Sequence, residues 1–585
     1  MRKFVFFVLS CLFLSSIEAL AWDKITVVKK TYPSVSFEDK VNPGNSGLYF
    51  PVSLESSLRS QEAVDLRTRS GFGIQQDLCL DGASYQQTAV LLDGVKINDP
   101  QTAHYNLDIP LTIFDLEKTG IYKQGGASLY GAGSLAGAVD FRLKKPTGNN
   151  FETENAFGEH ALFINALSAS FLNKDGLGVR SSFEQKISKS DPANTDFESH
   201  IASFYLSKEE GDFSFNQFLG FQEKNFGAST FYSNLFPEEE EHTRTLLLKS
   251  SLNKKAQPGE WAFNFYWRRH DDKFILSRHE SGNTNWHTTY LYGLDSSCRY
   301  KLGFIDSTSA VYFSREQIDS TNLGIHNRNS QAFSQKANLS LGTFFLSLAA
   351  RADYYQTSAF KNSYNLSIWY PLIEERLKIN YVFDRSVRMP SFTELYYNDS
   401  ANKGNSSLKE EKADNFSFNL DYSGQNFSSR FGIFLRKVHS LIDWVRQNSS
   451  LPWQADNLGR VDFRGANFLF LKGPFELSYN YILPDKKQNG YLSKYALDVL
   501  RHQAILKFTQ NIFSCDWAFE LSYNRRYYSE GYFLGNFTLS KTFRLEQKEV
   551  VPFLKVDNFS DTQYTQISDV KQPGRWIWAG IKLKW

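Results

Sequence analysis

The sequence predicts a transmembrane antiparallel β-barrel that follows a smaller α/β module. Three observations support this prediction: an export signal at the N-terminus, an excess of aromatic residues, and a long C-terminal region in which apolar and polar residues alternate. A hydropathy scan would miss such a protein, because after residue 21 no segment stays apolar for the roughly 20 residues that a spanning helix needs.

The first 21 residues predict a cleaved signal peptide. Arg2 and Lys3 precede an apolar run at 4–17, and a small-residue site follows at 19–21. The alternative is a short membrane anchor, but the run is too short to span a bilayer. Cys11 does not indicate a lipoprotein, since the apolar run continues beyond it. We therefore expect an exported protein.

The composition favours a barrel and argues against a polyanionic partner. Aromatic residues make up 16% of the chain, with 51 Phe, 30 Tyr and 11 Trp. A soluble core seldom needs so many rings, whereas a barrel places Tyr and Trp at both membrane interfaces and Phe on its lipid face. The formal net charge of +2 is too small to indicate nucleic-acid binding.

From residue 151 to residue 585, apolar and polar side chains alternate in short segments that end in turns. Trp261, Phe263 and Phe265 share one face of such a strand, and Ala262 and Asn264 lie on the other. The stretches 416–422 and 475–481 repeat the pattern. A soluble β-sandwich also alternates, but this region is too long for one sandwich and has no period typical of propeller blades. A barrel with a polar lumen explains both length and pattern.

Residues 22–149 differ and predict a compact mixed α/β module. Residues 90–97 predict a hairpin that turns at Asp93-Gly94, and 116–123 predict another strand. The glycine-rich stretch 125–137 lacks the spacing of a nucleotide-binding loop, so we interpret it as a tight turn with close backbone packing.

No motif in the sequence indicates catalysis, a cofactor or a metal site. The patterns of zinc proteases, serine hydrolases and cysteine nucleophiles are missing. Cys79, Cys298 and Cys515 are odd in number and widely separated, which suggests neither disulfides nor zinc. The acidic run from Glu238 to Glu241 is interpreted as a solvated loop, because adjacent carboxylates cannot all point one way on a strand. A barrel enzyme with a dispersed triad stays an alternative that nothing supports.

Four stretches, in the same order along the chain, resemble the TonB-dependent receptors of bacterial outer membranes. Residues 86–100 (QQTAVLLDGVKINDP) are similar to the plug hairpin of the family, and 125–137 to its glycine-rich plug segment. Residues 388–396 (RMPSFTELY) with 404–411 (GNSSLKEE) resemble a barrel motif, and 556–575 resemble the closing strands.

The resemblance implies a barrel of about 22 antiparallel strands with an N-terminal α/β plug domain in its lumen. It divides the chain into a signal peptide at 1–21, a periplasmic TonB-box segment at 22–40, a plug at 41–149 and a barrel at 150–585. The protein TonB would take the box as an added strand, although the same β-prone segment could be the first strand of the plug. The box is expected at Ile25, Thr26, Val27 and Val28.

Two positions depart from the family pattern. Asp81-Gly82 stands where the family commonly has Arg-Gly, so the basic residue of a plug-to-barrel ion pair is missing there. The box is followed by Lys29 and Lys30 instead of a small residue. The C-terminus keeps the pattern, because Trp585 ends an alternating strand of the kind that the barrel-assembly machinery recognises.

The resemblance further implies an active transporter in the outer membrane, surrounded by its lipids, that imports a scarce small ligand of the cobalamin or ferric siderophore class. It implies no resident cofactor and no chemistry on the ligand. A passive or gated diffusion porin is the main alternative, since it shares the barrel but needs neither box nor plug. The plug loop after the hairpin and the turn before it could contact the ligand, or could simply pack inside the barrel. The candidate contacts are Ser84, Tyr85, Gln86, Asp99, Gln101, His104, Tyr105 and Asn106.

Overall fold

The computed structural model describes residues 38–41, 54–123, 127–189, 191–232, 235–257, 259–279, 284–356, 360–374, 376–486, 490–568 and 570–585. The predicted signal peptide and the predicted TonB box lie outside these ranges. Within them, no helix is both long enough and apolar enough to cross a bilayer.

The N-terminal part of the described chain forms short strands, two short helices and three 3-10 turns. The turns are Tyr85–Gln87, Ala103–Tyr105 and Ile113–Asp115. The other elements are β1 (Glu38–Val41), α1 (Leu54–Arg59), β2 (Val64–Thr68), β3 (Gln76–Leu80), β4 (Thr88–Leu92), β5 (Val95–Lys96), β6 (Leu116–Lys123), α2 (Ala127–Tyr130) and β7 (Gly137–Leu143).

Two separate sheets organise this plug region. Strands β1, β6, β7, β4 and β5 form one sheet in that order, and β2 pairs with β3 as an independent hairpin. The hairpin predicted at Asp93-Gly94 is confirmed, because these residues join β4 to β5 with φ of 47° and 80°, as a type I′ turn requires. The glycine-rich stretch also turns tightly, with Gly131 and Gly133 at φ of 79° and 101°.

The rest of the described chain is almost entirely β-strand, apart from one short helix, α3 (Phe392–Tyr396). The strands are β8 (Asn150–Gly158), β9 (Leu162–Leu172), β10 (Leu177–Ser188), β11 (Phe197–Glu210), β12 (Phe213–Gly227), β13 (Glu240–Ala256), β14 (Gly259–Ile275), β15 (Thr284–Leu302), β16 (Ile305–Ser320), β17 (Gly324–Leu341), β18 (Phe344–Tyr355), β19 (Lys361–Ile373), β20 (Leu377–Arg388), β21 (Asn402–Lys403), β22 (Glu411–Ser423), β23 (Ser428–Arg446), β24 (Trp453–Lys472), β25 (Phe475–Lys486), β26 (Leu492–Ser493), β27 (Leu500–Ile512), β28 (Cys515–Arg526), β29 (Gly531–Ser540), β30 (Phe543–Leu545), β31 (Lys548–Asp557), β32 (Thr565–Ile567), β33 (Val570–Lys571) and β34 (Trp576–Lys584).

Within the described residues, 22 long strands close into an antiparallel barrel, which confirms the predicted fold class. The barrel closes where β34 pairs with β8. Trp585 extends this seam, since its backbone exchanges two hydrogen bonds with Phe151 and the two rings lie 4.5 Å apart. We call the end of the barrel at Asn150 and Lys584 the terminal rim, and the opposite end, at Gly158 and Trp576, the distal rim.

The predicted alternation matches the two faces of the wall. Trp261, Phe263 and Phe265 on β14 are 37–44% exposed, whereas Tyr266 and Arg268 on the same strand are 6% and 2% exposed. An outer face of exposed rings is typical of a strand in contact with lipid, and the polar residues then face the lumen.

The plug region fills the lumen and shares a hydrophobic core with the wall. Leu92 and Phe141 of the plug cluster with Tyr205, Phe218 and Leu247 of the barrel, and each is at most 3% exposed. Burial of this apolar surface on both sides stabilises the plug inside the barrel.

Candidate functional site

The plug loop that follows β5 is fastened to the barrel by a buried ion pair. Asp99 accepts hydrogen bonds from Arg268 Nη1 at 2.6 Å and from Thr289 Oγ1 at 2.9 Å. Arg268 also donates from Nη2 to the backbone oxygen of Tyr105 at 2.8 Å, and the amide of Gln101 donates to Asp99 at 2.8 Å. Asp99 therefore holds this loop against β14 and β15.

The same loop is joined to a segment of the distal rim through helix α3. The backbone amides of Phe392 and Thr393 donate to the carbonyl oxygens of Pro100 and Gln101, at 3.0 and 3.1 Å. These amides open the helix and have no partner within it, so the plug loop satisfies them. The rim segment after β20 consequently rests directly on the plug loop.

Tyr105 and Asn106 face into the molecule. The Tyr105 hydroxyl donates to Asp272 Oδ2 at 2.7 Å, and its ring lies 4.5 Å from the ring of His270. Asn106 Oδ1 accepts from the amide of Asp99 at 2.9 Å. Both residues thus help to hold the plug loop in place.

His104 and Tyr85 belong to a group of four rings that we call the aromatic cluster. Their rings stack 4.5 Å apart, and Tyr495 packs edge-on against both, at 6.2 and 5.6 Å. Tyr232 completes the cluster, 6.2 Å from His104. Tyr232 and Tyr495 lie in distal-rim loops, after β12 and after β26, and both are half-buried. The cluster therefore joins the plug to two loops of the distal rim.

His104 is also held by a buried network of charged side chains. Its Nδ1 lies 2.6 Å from Asp77 Oδ1, and Arg69 donates to the other oxygen of Asp77 at 2.8 Å. Burial alone would raise the pKa of Asp77, but the charge of Arg69 and the hydrogen bond from His104 outweigh it and hold the pKa below its usual range. Burial lowers the pKa of His104, so the neutral imidazole donates to a charged Asp77.

The turn before the plug hairpin supplies the remaining candidates. Ser84 is buried, and its amide donates to Gln87 Oε1 at 3.1 Å. Gln86 is half-buried, with Nε2 at 3.5 Å from Ser391 Oγ. Seven of the eight predicted contacts are thus buried between plug and barrel, and the eighth, Gln86, is half-buried.

Residues that surround these candidates were not found from the sequence. Asp77, Tyr232, Arg268 and Tyr495 belong to four separate elements, and no local spacing links them. The one usable signal is on β14, where Arg268, His270 and Asp272 place polar groups at the lumen-facing positions of an aromatic strand.

The interpretation of the run Glu238 to Glu241 as a solvated loop is wrong for two of its members. Glu239 and Glu241 are 1% and 0% exposed, because the alternation that starts β13 turns both toward the lumen. Glu241 accepts from the Tyr232 hydroxyl at 2.7 Å, and burial raises the pKa of Glu239 to about 8. In the described part of the chain, no group of three or more His, Cys, Asp and Glu side chains is placed to hold a metal ion.

A second buried ion network ties the plug to the wall. Arg388 donates to both oxygens of Glu394, at 2.8 and 3.0 Å, and to Glu411 at 2.5 Å. Gln87 of the plug donates to the two oxygens of Glu411 at 3.2 and 3.1 Å. The RMPSFTELY motif and the final glutamate of GNSSLKEE therefore meet at one point against the plug.

A barrel arginine stands beside Asp81, where the family resemblance leads one to expect a plug arginine. Arg436 on β23 is fully buried, and its Nη1 donates to the backbone oxygen of Asp81 at 3.2 Å. The Asp81 carboxylate is also close enough to act on the guanidinium electrostatically. The basic partner of this plug-to-barrel contact thus comes from the wall.

Reversing one charge of this contact should loosen the plug, and reversing both should restore it. Asp81→Arg places two arginines in contact in a buried site, which is strongly unfavourable. Trypsin should then cut the plug several-fold faster in the purified protein than in the wild type. The double variant Asp81→Arg with Arg436→Asp should regain most of the protection. Equal cleavage of the single and double variants would show that the two charges do not interact.

Two models of protein families match the chain. The model described as "TonB dependent receptor-like, beta-barrel" matches residues 124–579, and that of the "TonB-dependent Receptor Plug Domain" matches residues 51–138. A curated relative is the vitamin B12 transporter BtuB of Vibrio vulnificus (strain YJ016). It is 20% identical over 484 residues, which cover 75% of this chain and 74% of the relative.

Solved structures share the fold at low identity. The siderophore receptor PirA from Pseudomonas aeruginosa has a TM-score of 0.74 at 15% identity, over 95% of this chain and 100% of that one. The copper transporter OprC has a TM-score of 0.79 at 13% identity, over 94% and 98% of the two chains. The ferric citrate transporter FecA, in its unliganded form, has a TM-score of 0.77 at 12% identity, over 94% and 97%.

Proposed function

This chain belongs to the TonB-dependent receptors, and we propose that it imports a scarce small ligand of the cobalamin or ferric siderophore class. Members of this family are outer-membrane transporters and not enzymes, and they work with TonB and a small ligand. The proposal concerns which ligand is carried and which residues of this chain act.

The aromatic cluster is the observation that carries the choice of ligand. A corrin or an aromatic chelate presents ring faces and polar edges, which rings and buried hydrogen-bonding groups can recognise together. Four aromatic rings would contribute little binding energy to a bare metal ion. The named cargoes of the relatives include vitamin B12, siderophores and copper, and the cluster favours the first two for this chain.

We place the distal rim outside the cell as part of this proposal. The ligand displaces Tyr232 and Tyr495 and contacts Tyr85 and His104, whose partner Asp77 lies on β3 of the plug. The changed plug then presents the box at 25–28 to TonB in the periplasm, which pairs with it and pulls. In the same proposal the signal peptide spans 1–21, the box segment 22–40, the plug 41–149 and the barrel 150–585, a boundary supported by the start of β8 at Asn150.

Replacing His104 by alanine should weaken ligand binding without lowering the amount of folded barrel. The variant loses the imidazole ring that the ligand would contact, an interaction worth on the order of 1 kcal/mol, so the Kd should rise about fivefold. Equilibrium binding of cyanocobalamin, ferric citrate and ferric enterobactin to the purified protein measures it. Tyr105→Ala should also raise the Kd, because the plug loop would lose part of its attachment to the barrel.

The control for this experiment is Tyr527→Ala. Tyr527 is an exposed ring of the distal rim and is 37% accessible to solvent, so its removal should change the Kd little. If His104→Ala binds every one of these compounds as the wild type does, the aromatic cluster is not the ligand site.

A further inference from the structure

Two positively charged side chains share one aromatic ring at the distal rim, next to the aromatic cluster. Arg446 ends β23 and Trp453 begins β24, and Arg446 Cζ lies 4.2 Å from the centre of the Trp453 ring. Lys494 directly follows β26, and its Nζ lies 5.8 Å from the same ring centre. The face of an indole ring attracts cations, so Trp453 can hold both side chains. The ring carries no net charge and cannot neutralise them.

Among the described residues, no carboxylate pairs with either of these cations. Arg446 donates from Nη1 to the backbone oxygen of Ser449 at 3.2 Å, and Lys494 donates from Nζ to Asn402 Oδ1 at 3.2 Å. Both acceptors are neutral. Arg446 Nε is buried and has no hydrogen-bond partner in the described part of the chain. Buried polar groups are satisfied in almost every folded protein, so an acceptor is missing at this place.

The buried carboxylate of Asp443 holds the loop that carries Lys494. Asp443 is 2% exposed and accepts hydrogen bonds from the amides of Tyr495 and Ala496, at 3.2 and 3.3 Å. It also accepts from the amide of Trp444 at 2.8 Å, and the amide of Lys494 donates to the backbone oxygen of Trp444 at 3.0 Å. The bonds to Asp443 therefore fix the backbone on which Lys494 and Tyr495 stand.

The two cations lie on the Tyr495 side of the aromatic cluster. Lys494 Nζ is 5.2 Å from the centre of the Tyr495 ring, and Lys494 is close enough to His104 to act on it electrostatically. Arg69, which lies beneath the cluster, is neutralised by Asp77 at 2.8 Å. The unpaired positive charge on this side of the rings therefore comes from Lys494 and its neighbour on Trp453.

We propose that the ligand is an anionic chelate with aromatic donor groups, the chemistry of a ferric catecholate, and that Arg446 and Lys494 bind its negative charge. This inference rests on the proposed function and narrows its ligand class. Guanidinium and ammonium groups donate charge-assisted hydrogen bonds to phenolate and carboxylate oxygens, while the aromatic cluster contacts the rings of the ligand. A cobalamin has no excess of negative charge and would leave both cations unpaired.

Equilibrium binding of four compounds to the purified protein tests the ligand class. Ferric enterobactin is anionic and aromatic, ferric citrate is anionic without rings, and ferrichrome and cyanocobalamin are neutral overall. Ferric enterobactin should bind with the lowest Kd. Raising the sodium chloride concentration should weaken its binding, because salt screens charges that are partly exposed. The Kd of the neutral compounds should not depend on salt.

The double variant Arg446→Gln, Lys494→Gln tests the two residues. Its Kd for ferric enterobactin should rise on the order of tenfold, and its salt dependence should become flatter than that of the wild type. A merely structural role would not change the salt dependence. Arg525→Gln is the matched control for each single change, because Arg525 is exposed on the outer face of the same rim. Heat-modifiable mobility on gels shows that each variant barrel is folded.

Two results would overturn the inference. Unchanged binding of ferric enterobactin by the folded double variant would show that these cations do not contact the ligand. Tighter binding of any of the other three compounds would show that the ligand is not an anionic aromatic chelate, and it would leave the proposed function standing. Binding of none of the four would contradict the proposed function, and this inference with it.

Discussion

Replacing Arg388 by methionine should destabilise the folded protein by about 3–5 kcal/mol, because it leaves two buried carboxylates without a cation. Arg388, Glu394 and Glu411 are 2%, 3% and 0% exposed, so solvent cannot compensate for the lost charge. Gln87 would remain bonded to an uncompensated Glu411, and the plug should loosen together with the wall. Denaturant titration of the protein in detergent measures the loss.

Arg244→Met is the matched control for this change. Arg244 pairs with Glu223 on the outer surface, and its side chain is 65% exposed, so its loss should change the stability little. Equal destabilisation by the two substitutions would mean that the buried network around Arg388 has no special role.

Replacing Val27 by proline should abolish energised uptake while leaving ligand binding intact. Proline has no amide hydrogen and cannot donate to an added strand, so the proposed pairing with TonB would be interrupted at its centre. Uptake by cells should fall to the level of cells that lack TonB, and the Kd of the purified protein should stay unchanged.

Val27→Thr keeps the amide and the β-branched side chain, and it should transport almost normally. Normal uptake by the Val27→Pro protein would place the TonB contact outside residues 25–28. Loss of ligand binding by this variant would instead assign the segment to the plug structure.

The barrel could be predicted because its signal is repeated along the chain. Every barrel strand that crosses a membrane must turn an apolar face to lipid. Trp261, Phe263 and Phe265 show this alternation within one strand, and many other strands repeat it. The plug hairpin could be predicted for a similar reason, because the turn depends only on the positive φ angles of Asp93 and Gly94.

The contacts between plug and wall could not be predicted in this way. Thr68 and Gln566, or Asp99 and Arg268, meet only because the barrel closes around the plug, and no sequence spacing encodes the meeting. The motif that contains Arg388 was recognised through its resemblance to the family, but its binding to Glu411 and the link to Gln87 became visible only in the structure.

The burial of two glutamates in the run Glu238 to Glu241 also could not be predicted from the sequence. A charge run is usually solvated, and that general expectation failed for Glu239 and Glu241 because the lumen of this barrel is itself polar. The rule that buried positions are apolar therefore does not hold on the inner wall of this barrel.

Uptake by cells that express this protein tests the central claim most directly. Radiolabelled cyanocobalamin, ferric citrate and ferric enterobactin are offered at increasing concentration, with and without a proton uncoupler, to wild-type cells and to cells whose protein lacks residues 25–28. We predict saturable uptake of one compound that the uncoupler and the deletion both abolish. Uptake that rises linearly and ignores both treatments would contradict active transport and would identify a diffusion pore.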